Sequence, residues 1–313
     1  MEYVLLIGGL ITLIVAGEAL VRGAVGVALK FKIPTLVIGM TIVSFGTSAP
    51  ELLVSLKAAL EGHPELSIGN VVGSNVANIA LVLGLTAIIL PIAVKRSTVK
   101  IDWTIMMLST LLFYIFILDN VIQWYEGLIF VLGLIAFNVY MFKSINKKNN
   151  VTQLELDVNI DEAKKKNVLV QILLIVVGCI GLAYGAGWLL DGAVTIATNF
   201  GVSEHIIAVT IVAFGTSVPE LITSVVAALK KETDISVGNL IGSNIFNILG
   251  VLGITALVKE VPVSTQVLSN DIFWVIAISL LVFPLMIVNY KINRIRGLLL
   301  FLSYSVYIYF VVS

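Results

Sequence analysis

Residues 37–89 align without a gap onto residues 206–258, at a constant offset of 169 and with 28 identities in 53 positions. The first copy reads VIGMTIVSFGTSAPELLVSLKAALEGHPELSIGNVVGSNVANIALVLGLTAII, and the second IIAVTIVAFGTSVPELITSVVAALKKETDISVGNLIGSNIFNILGVLGITALV. The same offset carries Phe31 onto Phe200 and places Asp191-Gly-Ala-Val opposite Arg22-Gly-Ala-Val. A chain made of two like copies must fold as two like halves. How the halves are related depends on how many times each crosses its solvent boundary.

That boundary is a bilayer. Of 313 residues, 59% are hydrophobic and only 12% charged, whereas a soluble domain carries about 25% charge. A helical crossing needs ~20 mostly apolar residues, and ten segments qualify. They run approximately over Val4–Leu20, Pro34–Leu60, Leu66–Pro91, Ile101–Leu118, Gly127–Phe142, Val168–Leu190, Ile206–Leu229, Ile235–Val258, Ile272–Val288 and Gly297–Val312. Each copy therefore owns five crossings. Five is odd, so the second half enters the membrane from the opposite side. The expected fold is an all-α membrane protein with ten transmembrane helices, in two inverted-topology five-helix repeats with broken helices at the midplane. The expected organisation is a first repeat over 1–142, a linker over 143–167 and a second repeat over 168–313. The acidic start, MEYVLL, predicts no cleavable leader.

Charge placement orients the expected bundle. With both termini outside, 17 of the 19 Lys and Arg residues fall in cytoplasmic connections, leaving only Lys57 and Lys259 outside; cytoplasmic loops retain positive charge. The longest connection, KSINKKNNVTQLELDVNIDEAKKKN, is polar and mixed in charge and reads as a solvated cytoplasmic linker. The expected location is the cell membrane. Net charge is zero, with 19 basic and 19 acidic residues, which argues against a nucleic-acid partner. A single cysteine, Cys179, permits no internal disulfide. Trp103, Trp124, Trp188 and Trp274 fall near span ends and read as interfacial anchors. Glu18, Arg22 and Asp191 read likewise, and His63 and His205 fall in or beside exterior loops.

Two acidic residues do not fit any loop. Glu51 and Glu220 follow Pro50 and Pro219 directly, each about mid-helix in its copy. The prolines cannot donate to the carbonyls of Gly46 and Gly215, so each helix has a freed acceptor. Such a break is tolerated only in packed protein or a hydrated cavity. An ionisable side chain at that depth costs at least ~2.5 kcal/mol and calls for a counter-charge. Neither copy supplies a buried Lys or Arg nearby, and a bound cation is the simplest substitute.

The surrounding residues narrow which cation. Thr47, Ser48, Thr216, Ser217, Ser74 and Ser243 bring hydroxyls, and Asn78 and Asn247 bring amide oxygens. Ser74 and Asn78, like Ser243 and Asn247, are four apart and share a helix face. Every donor is a hard oxygen, which favours Ca²⁺ or Na⁺ over zinc, copper or iron. Asn75 and Asn244 read equally as ligands or packing hydrogen bonds. Gly69, Gly73, Gly238 and Gly242 read as sites of close helix approach. Nothing points to bond-making chemistry or a resident cofactor, so a transporter rather than an enzyme is expected. A cation channel built from the same oxygens is an alternative, and a calcium sensor without transport a weaker one.

The paired FGTSAPELLVS…GNVVGSNVANI and FGTSVPELITS…GNLIGSNIFNI resemble the two alpha-repeats of the sodium/calcium exchanger branch of the calcium/cation antiporter superfamily. The resemblance covers essentially the whole chain. It implies antiport of Na⁺ against Ca²⁺ by alternating access, across the lipid bilayer in which the chain sits. It implies that Glu51 and Glu220 chelate Ca²⁺ with the backbone carbonyls of Thr47 and Thr216. It also implies that Ser48, Ser217, Ser74 and Ser243 help bind Na⁺ at flanking sites. Relatives that also carry K⁺ have Asp where this chain has Asn247, which argues against K⁺ dependence. Proton/calcium antiporters usually show a GN-x-x-E type signature in place of GTS-x-PE. The alternatives left are H⁺/Ca²⁺ or K⁺-dependent exchange. Oligomeric state is not legible from the sequence.

Overall fold

The computed structural model describes residues 1–147, 167–202 and 213–312. Most of the linker, His205 and the start of the expected span 206–229 lie outside the described residues. Long apolar helices form the described chain: α1 Glu2–Phe31, the bent pair α2 Thr35–Thr47 and α3 Ala49–Leu60, α4 Glu65–Ile89 and α5 Thr98–Phe116. They continue as α6 Trp124–Lys147 and α7 Val168–Asn199. After the short α8 Ala213–Thr216 and α9 Val218–Leu229 come α10 Thr233–Val258, α11 Val267–Tyr290 and α12 Arg294–Val312. Among the described residues, eight single helices are long and apolar enough to cross a membrane, and the α2–α3 pair makes a ninth span. The tenth expected span is described only as α8 and α9.

Two short strand pairs display the twofold relation between the copies. β1 (Ile92–Ala93) pairs antiparallel with β4 (Lys291–Ile292), and β2 (Val121–Ile122) pairs antiparallel with β3 (Val261–Pro262). An offset of 169 turns β1 into β3 and β2 into the start of β4, so each pairing is the image of the other. Helix packing follows the same rule. Gly84 at the end of α4 lies against Gly297 and Phe301 of α12, and Gly253 of α10 lies against Gly127 and Phe130 of α6. Glycine permits this approach because a Cβ at Gly84 would fall 2.9 Å from the Phe301 nitrogen.

The first helices of the two halves pack on each other along most of their length. Gly9 and Gly23 of α1 sit against Leu189 and Gln171 of α7, while Gly178 and Gly192 of α7 sit against Leu20 and Leu6 of α1. Both helices run well past the expected ends at Leu20 and Leu190. Glu18 and Arg22 therefore lie within α1, where they pair with each other, and Glu18 also accepts from Lys230 Nζ at 3.1 Å. Trp103 departs from the anchor expectation: its indole N–H donates to the Ser279 carbonyl at 2.7 Å and its ring lies on Phe283.

Turns of π-helix recur at matched places, over Gly39–Val43, Ala77–Leu83 and Thr98–Asp102 in the first copy and Asn247–Leu252 and Val267–Asp271 in the second. Such widened turns concentrate at functional sites. Of the four glycines expected to pack, Gly238 and Gly242 lie on the α2 backbone near Leu36 and Met40; the stretch that repeats this one in the second copy, 205–209, lies outside the described residues.

At the α9–α10 connection, burial and the neighbouring Asp234 push the Glu232 carboxyl up to about 7, opposed by Lys95. Because the folded value lies above the ordinary value of 4.5, Glu232 binds its proton more tightly in the folded state. Its contribution to stability is full below about pH 4.5 and is lost as pH rises through about 7. Glu232→Gln should therefore leave the unfolding temperature unchanged near pH 4.5 and stabilise the chain by on the order of 2 kcal/mol near pH 8. An equal gap at both pH values would contradict this.

Candidate functional site

The α2 helix stops at Thr47 because Ser48 leaves helical geometry (φ −90°, ψ 5°), and α3 restarts at Ala49 with a bend of 42°. Ser217 does the same at φ −89°, ψ 2° before α9. Pro50 and Pro219 then occupy the second position of each new helix, where a missing N–H costs nothing. This register places Glu51 and Glu220 in the first turn of α3 and α9, where free amides and the helix dipole favour negative charge. The break is therefore what holds each carboxylate.

Both carboxylates have 0% exposure. Among the described residues neither joins an ion pair. Glu220 accepts one hydrogen bond across the copies, from Ser48 Oγ at 2.9 Å. Among the described residues, Glu220 Oε2 and both oxygens of Glu51 are buried without a hydrogen-bond partner. Two buried carboxylates with so few hydrogen bonds have the chemistry to hold a cation.

All ten sequence-derived candidates come from the helices meeting here, and Thr47, Ser48, Ser74, Ser217, Ser243, Asn78 and Asn247 are buried. Thr47 and Ser243 hydroxyls lie 3.4 Å apart, and their images Ser74 and Thr216 lie 3.5 Å apart. Asn247 donates Nδ2 to Asn75 Oδ1 at 3.1 Å, which leaves its own Oδ1 unpaired. Neither polar atom of Asn78 has a partner, nor has Ser217 Oγ. Asn75 and Asn244 each donate Nδ2 to the other's backbone carbonyl at 3.3 Å. That reciprocal pair is a packing contact through the pseudo-twofold axis. Unpaired oxygens thus converge from both copies. No group of three or more His, Cys, Asp or Glu occurs among the described residues, so two carboxylates and neutral oxygens form the donor set, which suits hard cations.

Two asparagines were missed from sequence. Asn239 accepts from Thr47 Oγ1 at 3.0 Å and donates to Ser224 Oγ at 3.2 Å. Asn70 donates to Ser55 Oγ at 3.1 Å and to the Glu51 carbonyl at 3.2 Å. Their signal was present: both pairs match between the copies, and each serine lies one helical turn beyond its glutamate.

The family model for sodium/calcium exchanger proteins matches residues 1–143 and 170–313. The chain belongs to the sodium/calcium exchanger family. Among curated relatives, the exchanger MaX1 of Methanosarcina acetivorans is 30% identical, over 98% of this chain and 97% of its own. The membrane protein MJ0091 of Methanocaldococcus jannaschii is 36% identical over 95% of this chain and 94% of its own. A solved structure of the sodium–calcium exchanger NCX_Mj superposes with a TM-score of 0.82 at 32% identity, covering 98% of both chains.

The reciprocal amides offer a test of the exchanger's central packing. Asn244→Ala would strip the Asn75 carbonyl of its donor in a buried setting, at a cost of about 1–3 kcal/mol. The unfolding temperature in detergent should fall accordingly. An unchanged value would mean that the pair holds nothing together.

Proposed function

We propose that the chain is a secondary active antiporter that exchanges Na⁺ for Ca²⁺ across the cell membrane by alternating access, and that it is an integral membrane transporter rather than an enzyme. The observation that carries this reading is the bare pair Glu51 and Glu220, fully buried and without a cationic partner. Family membership supports the same two ions. Ca²⁺ sits between the two carboxylates with the Thr47 and Thr216 carbonyls, while Ser48, Ser217, Ser74 and Ser243 complete flanking Na⁺ sites. Asn78 and Asn247 add neutral oxygens, so the site carries at most two negative charges.

Charge arithmetic gives the mechanism. An empty site leaves two charges in a low-dielectric interior, and changing access in that state is penalised. One Ca²⁺ neutralises the pair, and so do Na⁺ ions spread over the hydroxyls. Only loaded forms cross readily, which makes the process exchange rather than leak. With three Na⁺ moving against one Ca²⁺ the cycle carries net charge. Neutral Asn247 supports K⁺ independence. The halves 1–142 and 168–313 are joined by the linker 143–167 on the cytoplasmic side, and both termini lie outside; the distribution of Lys and Arg supports this orientation.

The glycine-paired helices α1 and α7, which carry no site carboxylate, form the part that slides against the remaining helices. Gly17 of α1 rests on Ile222 of α9. A disulfide between cysteines placed at those two positions, in a chain lacking Cys179, should stop exchange until it is reduced. Undiminished exchange in the cross-linked protein would sink the sliding step.

In proteoliposomes, Ca²⁺ uptake should saturate, require an opposing Na⁺ gradient, ignore K⁺ and respond to an imposed membrane potential. Glu51→Gln and Glu220→Gln should each abolish it while the protein stays folded. Normal transport in either variant would remove the site assignment, and Ca²⁺ flux without counter-ion would indicate a channel.

A further inference from the structure

A hydroxyl offers a cation its lone pairs only if its single proton points elsewhere. Thr47 Oγ1 has Asn239 Oδ1 at 3.0 Å, and an amide oxygen can only accept. The other acceptor on that side, the Ser44 carbonyl, is farther at 3.3 Å. Once Thr47 has given its proton to Asn239, it can only accept from Ser243 at 3.4 Å. Ser243 then spends its own proton on Thr47, and its lone pairs are left for the site.

The direction of this chain depends on which way the Asn239 amide faces. Its Nδ2 donates to Ser224 Oγ at 3.2 Å, one helical turn beyond Glu220 on α9, and all of Asn239 is buried. The same donor bond recurs in the other copy, from Asn70 to Ser55 at 3.1 Å. If the amide lost its anchor and turned, its N–H would face Thr47. The Thr47 proton would then turn away from Asn239 and towards the ion site. A cation would have to displace it.

We propose that Asn239, anchored by Ser224, is a positioning residue that sets the hydroxyl polarity of Thr47 and Ser243 and thereby tunes affinity for Na⁺ rather than Ca²⁺. The inference rests on the ion-site reading above. Ca²⁺ between the two carboxylates draws mainly on full charges and backbone oxygens, which the turn of a hydroxyl proton does not remove. Na⁺ at the flanking position relies on the hydroxyl oxygens themselves.

Two readouts in proteoliposomes separate positioning from scaffolding. Half-saturating Na⁺ is measured in Na⁺-driven Ca²⁺ release, and half-saturating Ca²⁺ in Ca²⁺/Ca²⁺ exchange, which needs no Na⁺. Asn239→Leu should raise half-saturating Na⁺ about tenfold, the equivalent of one lost hydrogen bond, and leave that for Ca²⁺ within about twofold. Asn239→Asp keeps an oxygen on Thr47 and should stay near the wild-type value. Ser224→Ala keeps the asparagine but frees its amide, and should shift Na⁺ in the same direction by about threefold; it decides the matter if Asn239→Leu does not fold. An unchanged Na⁺ requirement in these variants, or an equal loss for both ions with Asp behaving like Leu, would overturn the proposal. Glu51→Gln measured in parallel tests the underlying site alone, since retained Ca²⁺/Ca²⁺ exchange there refutes the ion-site reading whatever Asn239 does.

Discussion

Two fully buried carboxylates, Glu51 and Glu220, which together accept one side-chain hydrogen bond among the described residues, sit where the halves of the chain meet, and the rest of the structure is arranged around that burden. Glu51 and Glu220 are tolerated because each opens a helix, at a break made by serine and followed by proline. Free amides at those helix starts offset part of the charge. Among the described residues, Asn78 on α4 and Asn247 on α10 add buried side-chain oxygens without hydrogen-bond partners. In hydrocarbon such an arrangement would be costly on one helix alone, and inverted repetition brings the two broken helices together within packed protein.

The scaffold is close to symmetric while the hydrogen bonding at its centre is not. β1–β4 and β2–β3 exchange under the repeat, as do the glycine contacts of α4 with α12 and α10 with α6. Among the described residues, Ser48 reaches Glu220 at 2.9 Å, while its image Ser217 and the side chain of Glu51 show no hydrogen-bond partner. Asn247 is held by Asn75, yet its counterpart Asn78 is not held at all.

Much of this was legible in the sequence because it rests on repetition and on charge where charge is scarce. The offset of 169 exposed the halves, and Glu51 and Glu220 stood out once most other acidic positions fell in loops or near span ends. The remaining candidates came from the hydroxyl and amide residues around those two glutamates and from the resemblance to the exchanger family. Other features had no local signal. The π turns depend on how α4 and α10 fit their neighbours, and the length of α1 beyond Leu20 depends on its packing against α7 and α9. Asn239 was readable in principle but was passed over, because its importance lies in a partner 192 residues away.

The central claim is that one pair of buried charges is shared by the two ions in turn. Equilibrium binding of radioactive Ca²⁺ to the purified protein in detergent, titrated with Na⁺, tests it most directly. The account predicts about one Ca²⁺ per chain, displaced by Na⁺ with a slope steeper than one Na⁺ per Ca²⁺, since neutralising two charges takes at least two monovalent ions. Ca²⁺ that stays bound at saturating Na⁺, with both ions held at once, would contradict it.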